Sequence, residues 1–341
     1  MAKNSKNKRK NQKTKINSNV VKNLKEIRIK NVKYSFFERL CGFIELGRPI
    51  EWSKPLLNMT LAMLITFYVY QLGVNLPLLA IGFFSVAILW SGLYALNDYT
   101  DWKIDLIHDV KKFRPIPSGK VTPKQGLLYS LTLVLVSFSI ALLIKNNLLV
   151  LSLFAMVVNQ LLYTTKPFRL KSVKGLDFVS GSMINPFFRY LSGIVLFVPQ
   201  GILLTSPFPI LPVIFVVGIQ FSGYSLYRLF SKKHDIATKM KSSVALISEK
   251  TVKLLSYFAI VLAVLSYFIL FLNYFLLKEK LLGFLPPQYL LALLVSVVFV
   301  PKLVGGILTP EKADMKKNYS TLYGATIAFI VANLLIFILI G

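Results

Sequence analysis

The chain has a single cysteine, Cys41, which excludes an internal disulfide. A lone thiol is typical of a protein whose working loops face a reducing compartment. Histidine is also scarce and occurs only as His108 and His234. The first thirty residues have no aromatic side chain and no apolar run. The first absence argues against RNA binding by base stacking, and the second predicts that no signal peptide is cleaved from the chain.

Long apolar runs dominate the rest of the chain, since 55% of its residues are hydrophobic and its mean hydropathy is +0.62. Runs of about 20 apolar residues are long enough to cross a bilayer as helices. Nine such spans are predicted, at residues 55–73, 77–96, 126–144, 147–164, 178–197, 209–230, 252–273, 285–305 and 322–340. The sequence therefore predicts an all-α, polytopic membrane protein with nine transmembrane helices.

Acidic residues are few: 14 Asp and Glu stand against 40 Lys and Arg, for a formal net charge of +26. Such a surplus suits either nucleic acid or a membrane surface, and the distribution of the charge decides between them. With the N-terminus in the cytoplasm, 34 of the 40 basic residues fall on the cytoplasmic side. This bias is typical of membrane proteins. We therefore expect a cell-membrane protein with a cytoplasmic N-terminus, an outer C-terminus and no nucleic-acid partner.

Three segments differ in composition. Residues 1–33 are rich in Lys, Asn and Ser and predict a disordered basic tail that associates with anionic lipid headgroups. Residues 34–48 carry apolar side chains at helical spacing, but too few of them to cross a membrane, and predict an amphipathic helix in the interface. Residues 49–341 would form the nine-helix domain.

The strongest chemical signal is an acidic ladder, NDYTDWKID, at residues 97–105, after the second predicted span. Spacings of three and four place Asp98, Asp101 and Asp105 on one helix face, where their repulsion needs a cation to offset it. Mg2+ is usually held by one or two carboxylates plus substrate phosphates. Three cations that would complete a clamp for a diphosphate follow the ladder: Lys111, Lys112 and Arg114.

This region resembles the UbiA superfamily of intramembrane transferases, whose hallmark is NDxxDxxxD followed by an RPI-containing segment that ends in glycine. Residues 114–119 of this chain read RPIPSG. The resemblance implies a nine-helix bundle around an apolar central cavity, with the active site at the cytoplasmic side. It also implies that Asp98, Asp101 and Asp105 are the catalytic residues, which bind Mg2+ and through it the diphosphate of a substrate.

Further polar residues are implied by the same resemblance. The superfamily's second acidic motif, DxxxD, falls on residues 231–235, where Ser231 replaces the first Asp and leaves the binding of a second Mg2+ open. Asp177 and Arg189 lie at the start of, or inside, the fifth span and are expected to face the cavity or each other, because an unpaired charge there costs several kcal/mol. The predicted substrate-binding residues are Lys54, Asn97, His108, Lys111, Lys112, Arg114, Arg169, Lys171, Arg228, Lys232 and Asp235.

Two reactions remain open. The eight residues between Asp105 and Arg114, and the RPxxWxK run at 48–54, are similar to decaprenyl-phosphate phosphoribosyltransferases. The leading hypothesis is therefore Mg2+-dependent transfer of 5-phosphoribose from phosphoribosyl diphosphate to a polyprenyl phosphate. The alternative is transfer of a prenyl group from prenyl diphosphate to an aromatic, tetrapyrrole or glycerol-phosphate acceptor, which Pro117-Ser118 favours. A non-catalytic lipid-binding or transport protein is the alternative of another class.

Overall fold

Helices make up nearly all of the regular structure. The computed structural model describes residues 33–108, 110–206, 208–276, 285–299 and 315–340, and these ranges contain no β-strand beyond one isolated bridge. The α-helices, α1 to α15 in chain order, are Phe36–Gly47, Ser53–Tyr68, Leu76–Asp105, Pro115–Ser118, Pro123–Leu143, Asn147–Thr164, Leu176–Ser182, Ile184–Val195, Gln200–Thr205, Ile210–Phe230, Lys232–Ala237, Ser243–Leu246, Glu249–Leu276, Leu290–Val297 and Met315–Ile340. The prediction of an all-α fold is confirmed for this part of the chain.

Six helices are long and apolar enough to cross a membrane, namely α3, α5, α6, α10, α13 and α15. Each coincides with a predicted span, and the protein is an integral membrane protein. The count of nine is not confirmed within the described residues. Helix α2 has only 16 residues, and the fifth predicted span is split at Met183 between α7 and α8. The end of the eighth predicted span, at 300–305, and nearly all of the basic tail lie outside the described residues.

Helix α1 occupies most of the segment for which an interfacial helix is predicted. Ser35 begins it with a capping box, in which the serine hydroxyl accepts from the Glu38 N–H and the Glu38 carboxylate accepts from the Ser35 N–H. Leu46 packs inward, whereas Phe36 and Phe37 remain largely exposed. The helix is thus amphipathic, and its position at a membrane surface stays a prediction.

Helix α3 carries the acidic ladder, and close packing on α5 sets its position. The Ser137 hydroxyl donates to the Ser85 carbonyl at 2.7 Å, and the Ser130 hydroxyl donates to the Gly92 carbonyl at 2.7 Å. Small side chains and such interhelical hydrogen bonds are what membrane helices use to approach closely. The two bonds hold α3 against α5 over the turns that precede the ladder.

Helices α2 and α8 also meet at small residues. The Asn58 side-chain amide donates to the Pro186 carbonyl at 2.8 Å. At Gly193 an added Cβ would lie 2.6 Å from the Ala62 Cβ and 3.0 Å from the Met59 Cα. The two backbones are therefore too close at this point for any side chain on α8.

Gly193→Ala is expected to destabilise the protein by about 1–3 kcal/mol, because the backbone of α2 must move to admit the methyl group. Thermal unfolding of detergent-purified protein measures this as a lower apparent Tm. Gly201→Ala is the matched control, since no atom lies within 4 Å of a Cβ added there. Equal unfolding temperatures for the two variants would contradict the close approach of α2 and α8.

Candidate active site

The three aspartates of the ladder lie on the last turns of α3, which continues as one helix to Asp105. Asp98 and Asp105 are only 1% and 2% exposed, and Asp101 is partly buried. Carboxylates removed from water to this degree need compensating positive charge. The structure supplies that charge from two pairs of cations, Arg48 with Arg114 and Arg169 with Lys171.

Two arginines hold Asp98. Arg48, in left-handed backbone conformation at the end of α1, donates to both carboxylate oxygens of Asp98 at 2.6 and 2.8 Å. Arg114 donates from one nitrogen to Asp98 at 2.9 Å and to Asp105 at 2.8 Å. Burial alone would lower the pKa of Arg114, but the two carboxylates raise it above its ordinary value, so this bridging group stays a cation.

Asp101 faces a second pair of cations. Arg169 donates to it at 2.9 Å and Lys171 at 2.7 Å. Lys171 is buried and also donates to the side chains of Asn97, at 3.2 Å, and Thr164, at 2.6 Å. Burial lowers the pKa of Lys171 to about 8, against the opposing effect of Asp101. The predicted residues Asn97, Arg169 and Lys171 thus meet at the ladder.

The donor set fits a magnesium diphosphate. Carboxylate oxygens are ligands that Mg2+ prefers, and arginine and lysine donate charge-assisted hydrogen bonds to phosphate oxygens. In this structure the three carboxylates face those cations instead, and no group of three or more acidic, histidine or cysteine side chains in the described residues is arranged to hold a metal ion. Magnesium binding by Asp98, Asp101 and Asp105 stays a prediction.

The first loop brings His108 and Lys111 to the site but not Lys112. The ring Nδ1 of His108 accepts from the backbone N–H groups of Val110 and Lys111 at 3.2 and 3.3 Å. The Lys111 charge interacts with Asp101 and Asp105. Lys112 is exposed and lies 5.2 Å over the ring of Phe113, away from the ladder.

The second loop is joined to the first by the two histidines, whose ring centroids are 4.5 Å apart. Asp235 is buried and accepts from Arg228 and, at 2.6 Å, from the Ser242 hydroxyl. Lys232 pairs with Glu249 at 3.1 Å. The carboxylate of the degenerate second motif is therefore paired with Arg228, whose Nε atom is buried without a hydrogen-bond partner. Substrate binding by Asp235, Arg228 and Lys232 stays a prediction.

Lys54 contacts α3 one helical turn before the ladder. Its ammonium group pairs with Glu51 at 2.5 Å and donates to the Tyr94 hydroxyl at 3.2 Å. The guanidinium of Arg48 lies 4.6 Å from the centre of the same tyrosine ring. Sequence reasoning did not single out Arg48, Glu51 or Tyr94, although the first two belong to the RPxxWxK run.

Asp177 and Arg189 do not pair with each other. Asp177 accepts from the backbone N–H of Ser243 at 2.9 Å and from the hydroxyl of the same residue. Arg189 donates to the Gln220 side chain at 3.3 Å, and its guanidinium carbon lies 4.4 Å over the Trp90 ring. Of the two expected arrangements, the structure does not show the pairing of Asp177 with Arg189, and the prediction that the two side chains face the cavity stays a prediction.

The structure thus describes a membrane protein in which one long apolar helix, α3, ends in three carboxylates that are paired with arginine and lysine side chains. The family model of the UbiA prenyltransferase family matches residues 57–330, well over half of the chain. The chain belongs to the UbiA prenyltransferase family. The predictions of a UbiA-type protein and of a transferase are thereby confirmed at the level of the family.

A curated relative is digeranylgeranylglyceryl phosphate synthase of Methanopyrus kandleri, 31% identical over 145 residues, which are 42% of this chain and 48% of the relative. The chain thus spans about half the length of this curated relative. Among solved structures, the apo UbiA homologue of Aeropyrum pernix has a TM-score of 0.69 at 16% identity over 85% of this chain and 99% of its own. The UbiA homologue of Archaeoglobus fulgidus bound to DMAPP and Mg2+ has a TM-score of 0.62 at 14% identity over 86% and 97%. At these identities the structures establish the fold.

Proposed function

We propose that this protein transfers a prenyl group from a prenyl diphosphate to the hydroxyl of a glycerol-phosphate lipid, in a Mg2+-dependent reaction at the cytoplasmic side of the membrane. The observation that carries the proposal is the alternation of three aspartates with four cations, Arg48, Arg114, Arg169 and Lys171, at the end of α3. A metal-bound diphosphate suits this arrangement, because the aspartates can bind the metal and the cations can bind the phosphate oxygens.

The chain's own groups have separate parts in this reaction. Asp98, Asp101 and Asp105 hold the metal, which when bound neutralises charge on the diphosphate. Arg48 and Arg114 donate to phosphate oxygens. Negative charge grows on the pyrophosphate as its bond to the prenyl carbon breaks, so these donors stabilise the leaving group. The prenyl carbon then forms an ether bond to the acceptor oxygen, and the proton of that hydroxyl passes to the released pyrophosphate.

The choice of acceptor rests on the comparisons and corrects the leading hypothesis of the sequence. The Methanopyrus relative is named for the synthesis of a glyceryl phosphate lipid, and the Archaeoglobus homologue was solved with a prenyl diphosphate and Mg2+. Both support prenyl transfer rather than phosphoribosyl transfer. The RPIPSG segment also favours prenyl transfer. The loop length that favoured phosphoribosyl transfer is not supported by these comparisons.

The test is a choice between substrate pairs. Purified protein with Mg2+ receives either labelled geranylgeranyl diphosphate with geranylgeranylglyceryl phosphate, or labelled phosphoribosyl diphosphate with polyprenyl phosphate. We expect an ether-linked lipid product from the first pair and none from the second. Product from the second pair alone would restore the phosphoribosyl hypothesis, and product from neither pair would favour a non-catalytic protein.

Removal of the metal is expected to abolish prenyl transfer. Without a cation between them, the ladder carboxylates and the diphosphate repel each other, so both donor binding and leaving-group stabilisation are lost. Activity is measured after treatment with EDTA and again after Mg2+ is restored. Undiminished turnover in EDTA would contradict the assignment of the ladder to a metal.

A further inference from the structure

Arg189 is a buried cation that the reaction described above does not use. The residue is fully buried, and its Nε and Nη1 atoms have no hydrogen-bond partner. Its contact with the Trp90 ring offsets part of the cost of burial. No ion pair in the described part of the chain includes it, and a charge without a partner at this depth costs several kcal/mol. An ionisable side chain inside the membrane with unused donors points to a ligand.

Arg189 and the charged groups around it carry a net positive charge. Glu51, Tyr94 and Lys54 lie close enough to interact with it electrostatically. Lys54 is already paired with Glu51 at 2.5 Å. Within this cluster a single carboxylate thus faces two cations. A ligand anion is what would complete the charge balance.

The cluster adjoins the diphosphate site. The rings of Trp90 and Tyr94 are 5.0 Å apart, and the face of Tyr94 is covered by Arg48, which holds Asp98. Tyr94 precedes Asp98 by one turn of α3, about 6 Å along the helix axis. A molecule that reacts beside the diphosphate can therefore extend an anionic group toward Lys54 and Arg189.

We propose that Arg189 and Lys54 bind the phosphate group of the acceptor and so select a phosphorylated lipid over its neutral alcohol. This inference rests on the proposed function. Arg189 supplies N–H donors that are unpaired in the structure, and Lys54 shares its charge between Glu51 and the incoming phosphate. Two cations suit a phosphate, which carries close to two negative charges at neutral pH. In this arrangement Arg189 determines which acceptor is bound, whereas the bonds break and form beside the ladder.

The test compares two acceptors that differ only in that group. The full-length protein in detergent is assayed with geranylgeranyl diphosphate and either geranylgeranylglyceryl phosphate or its dephosphorylated alcohol. The wild type is expected to prefer the phosphorylated acceptor. In Arg189→Gln the ratio of kcat/KM between the two acceptors is expected to fall about 10–100-fold, the worth of a hydrogen bond between charged groups. The KM of the donor should stay nearly constant, and Arg189→Lys should restore part of the preference.

The possible outcomes separate the two proposals. An equal loss with both acceptors, or a raised KM for the donor, would overturn the role of Arg189 in reading the phosphate. A wild type that forms no product with either acceptor would count against the proposed function itself. If Arg189→Gln does not fold, Lys54→Met is measured instead, and an unchanged preference in that variant would overturn the proposal.

Discussion

Asp98→Asn is expected to lower kcat/KM for the prenyl diphosphate at least about 100-fold, because the metal supplies several kcal/mol of charge stabilisation to the leaving group. A neutral amide is a weaker ligand for Mg2+ than a carboxylate. In the free protein, Asp98 also neutralises Arg48 and shares Arg114 with Asp105. The variant leaves both guanidinium groups with less compensation, so the apparent Tm is expected to fall as well.

Glu45→Gln is the matched control for the loss of one carboxylate. Glu45 pairs with Lys120 at 2.9 Å on the exposed side of α1, and surface pairs of this kind contribute about 0–1 kcal/mol. Activity and Tm should therefore remain close to the wild type. Turnover by Asp98→Asn at the wild-type rate, with unchanged sensitivity to EDTA, would remove Asp98 from the site.

The sequence predicted a membrane helix correctly where its apolar run was long and unbroken. Six spans were found because unbroken apolar runs near 20 residues have few alternatives to a membrane helix. The split of the fifth span at Met183 was missed. Hydropathy averages over the position where a helix breaks, and the backbone at that position depends on packing against neighbouring helices.

The site was predicted where its pattern is local. The ladder is nine residues on one helix, so its register follows from helical spacing. Arg48 was missed as a partner of Asp98, because fifty positions separate the two and only the turn after α1 brings them together. Lys112 was included because its charge resembles that of Lys111, and charge alone does not tell which lysine faces the ladder.

The hypothesis of phosphoribosyl transfer came from the number of residues between Asp105 and Arg114 and from the RPxxWxK run at residues 48–54. Surface loops tolerate changes in length at small free-energy cost, so loop length is a weak guide to substrate. The structure shows instead which group of this loop reaches the ladder, since Arg114 donates to both Asp98 and Asp105. What the loop must do is deliver this guanidinium, and loops of different lengths can do so.

Arg114→Gln is expected to raise the KM for the prenyl diphosphate about 10–100-fold, which corresponds to the loss of a charge-assisted hydrogen bond to phosphate. Its guanidinium is the group that bridges Asp98 and Asp105, at 2.9 and 2.8 Å. Without it, the two carboxylates keep their repulsion and the diphosphate loses one donor. Steady-state kinetics with varied donor at saturating Mg2+ measures the effect, and the KM of the acceptor should change little.

Lys112→Gln removes the same charge two residues earlier in the same loop and is the control for Arg114→Gln. Because Lys112 is exposed and lies over Phe113, its loss is expected to change the KM of the donor less than about twofold. Any small effect should disappear at high salt, since exposed charges are screened. Similar effects of the two substitutions would mean that the donor responds to the net charge of the loop rather than to the guanidinium between Asp98 and Asp105.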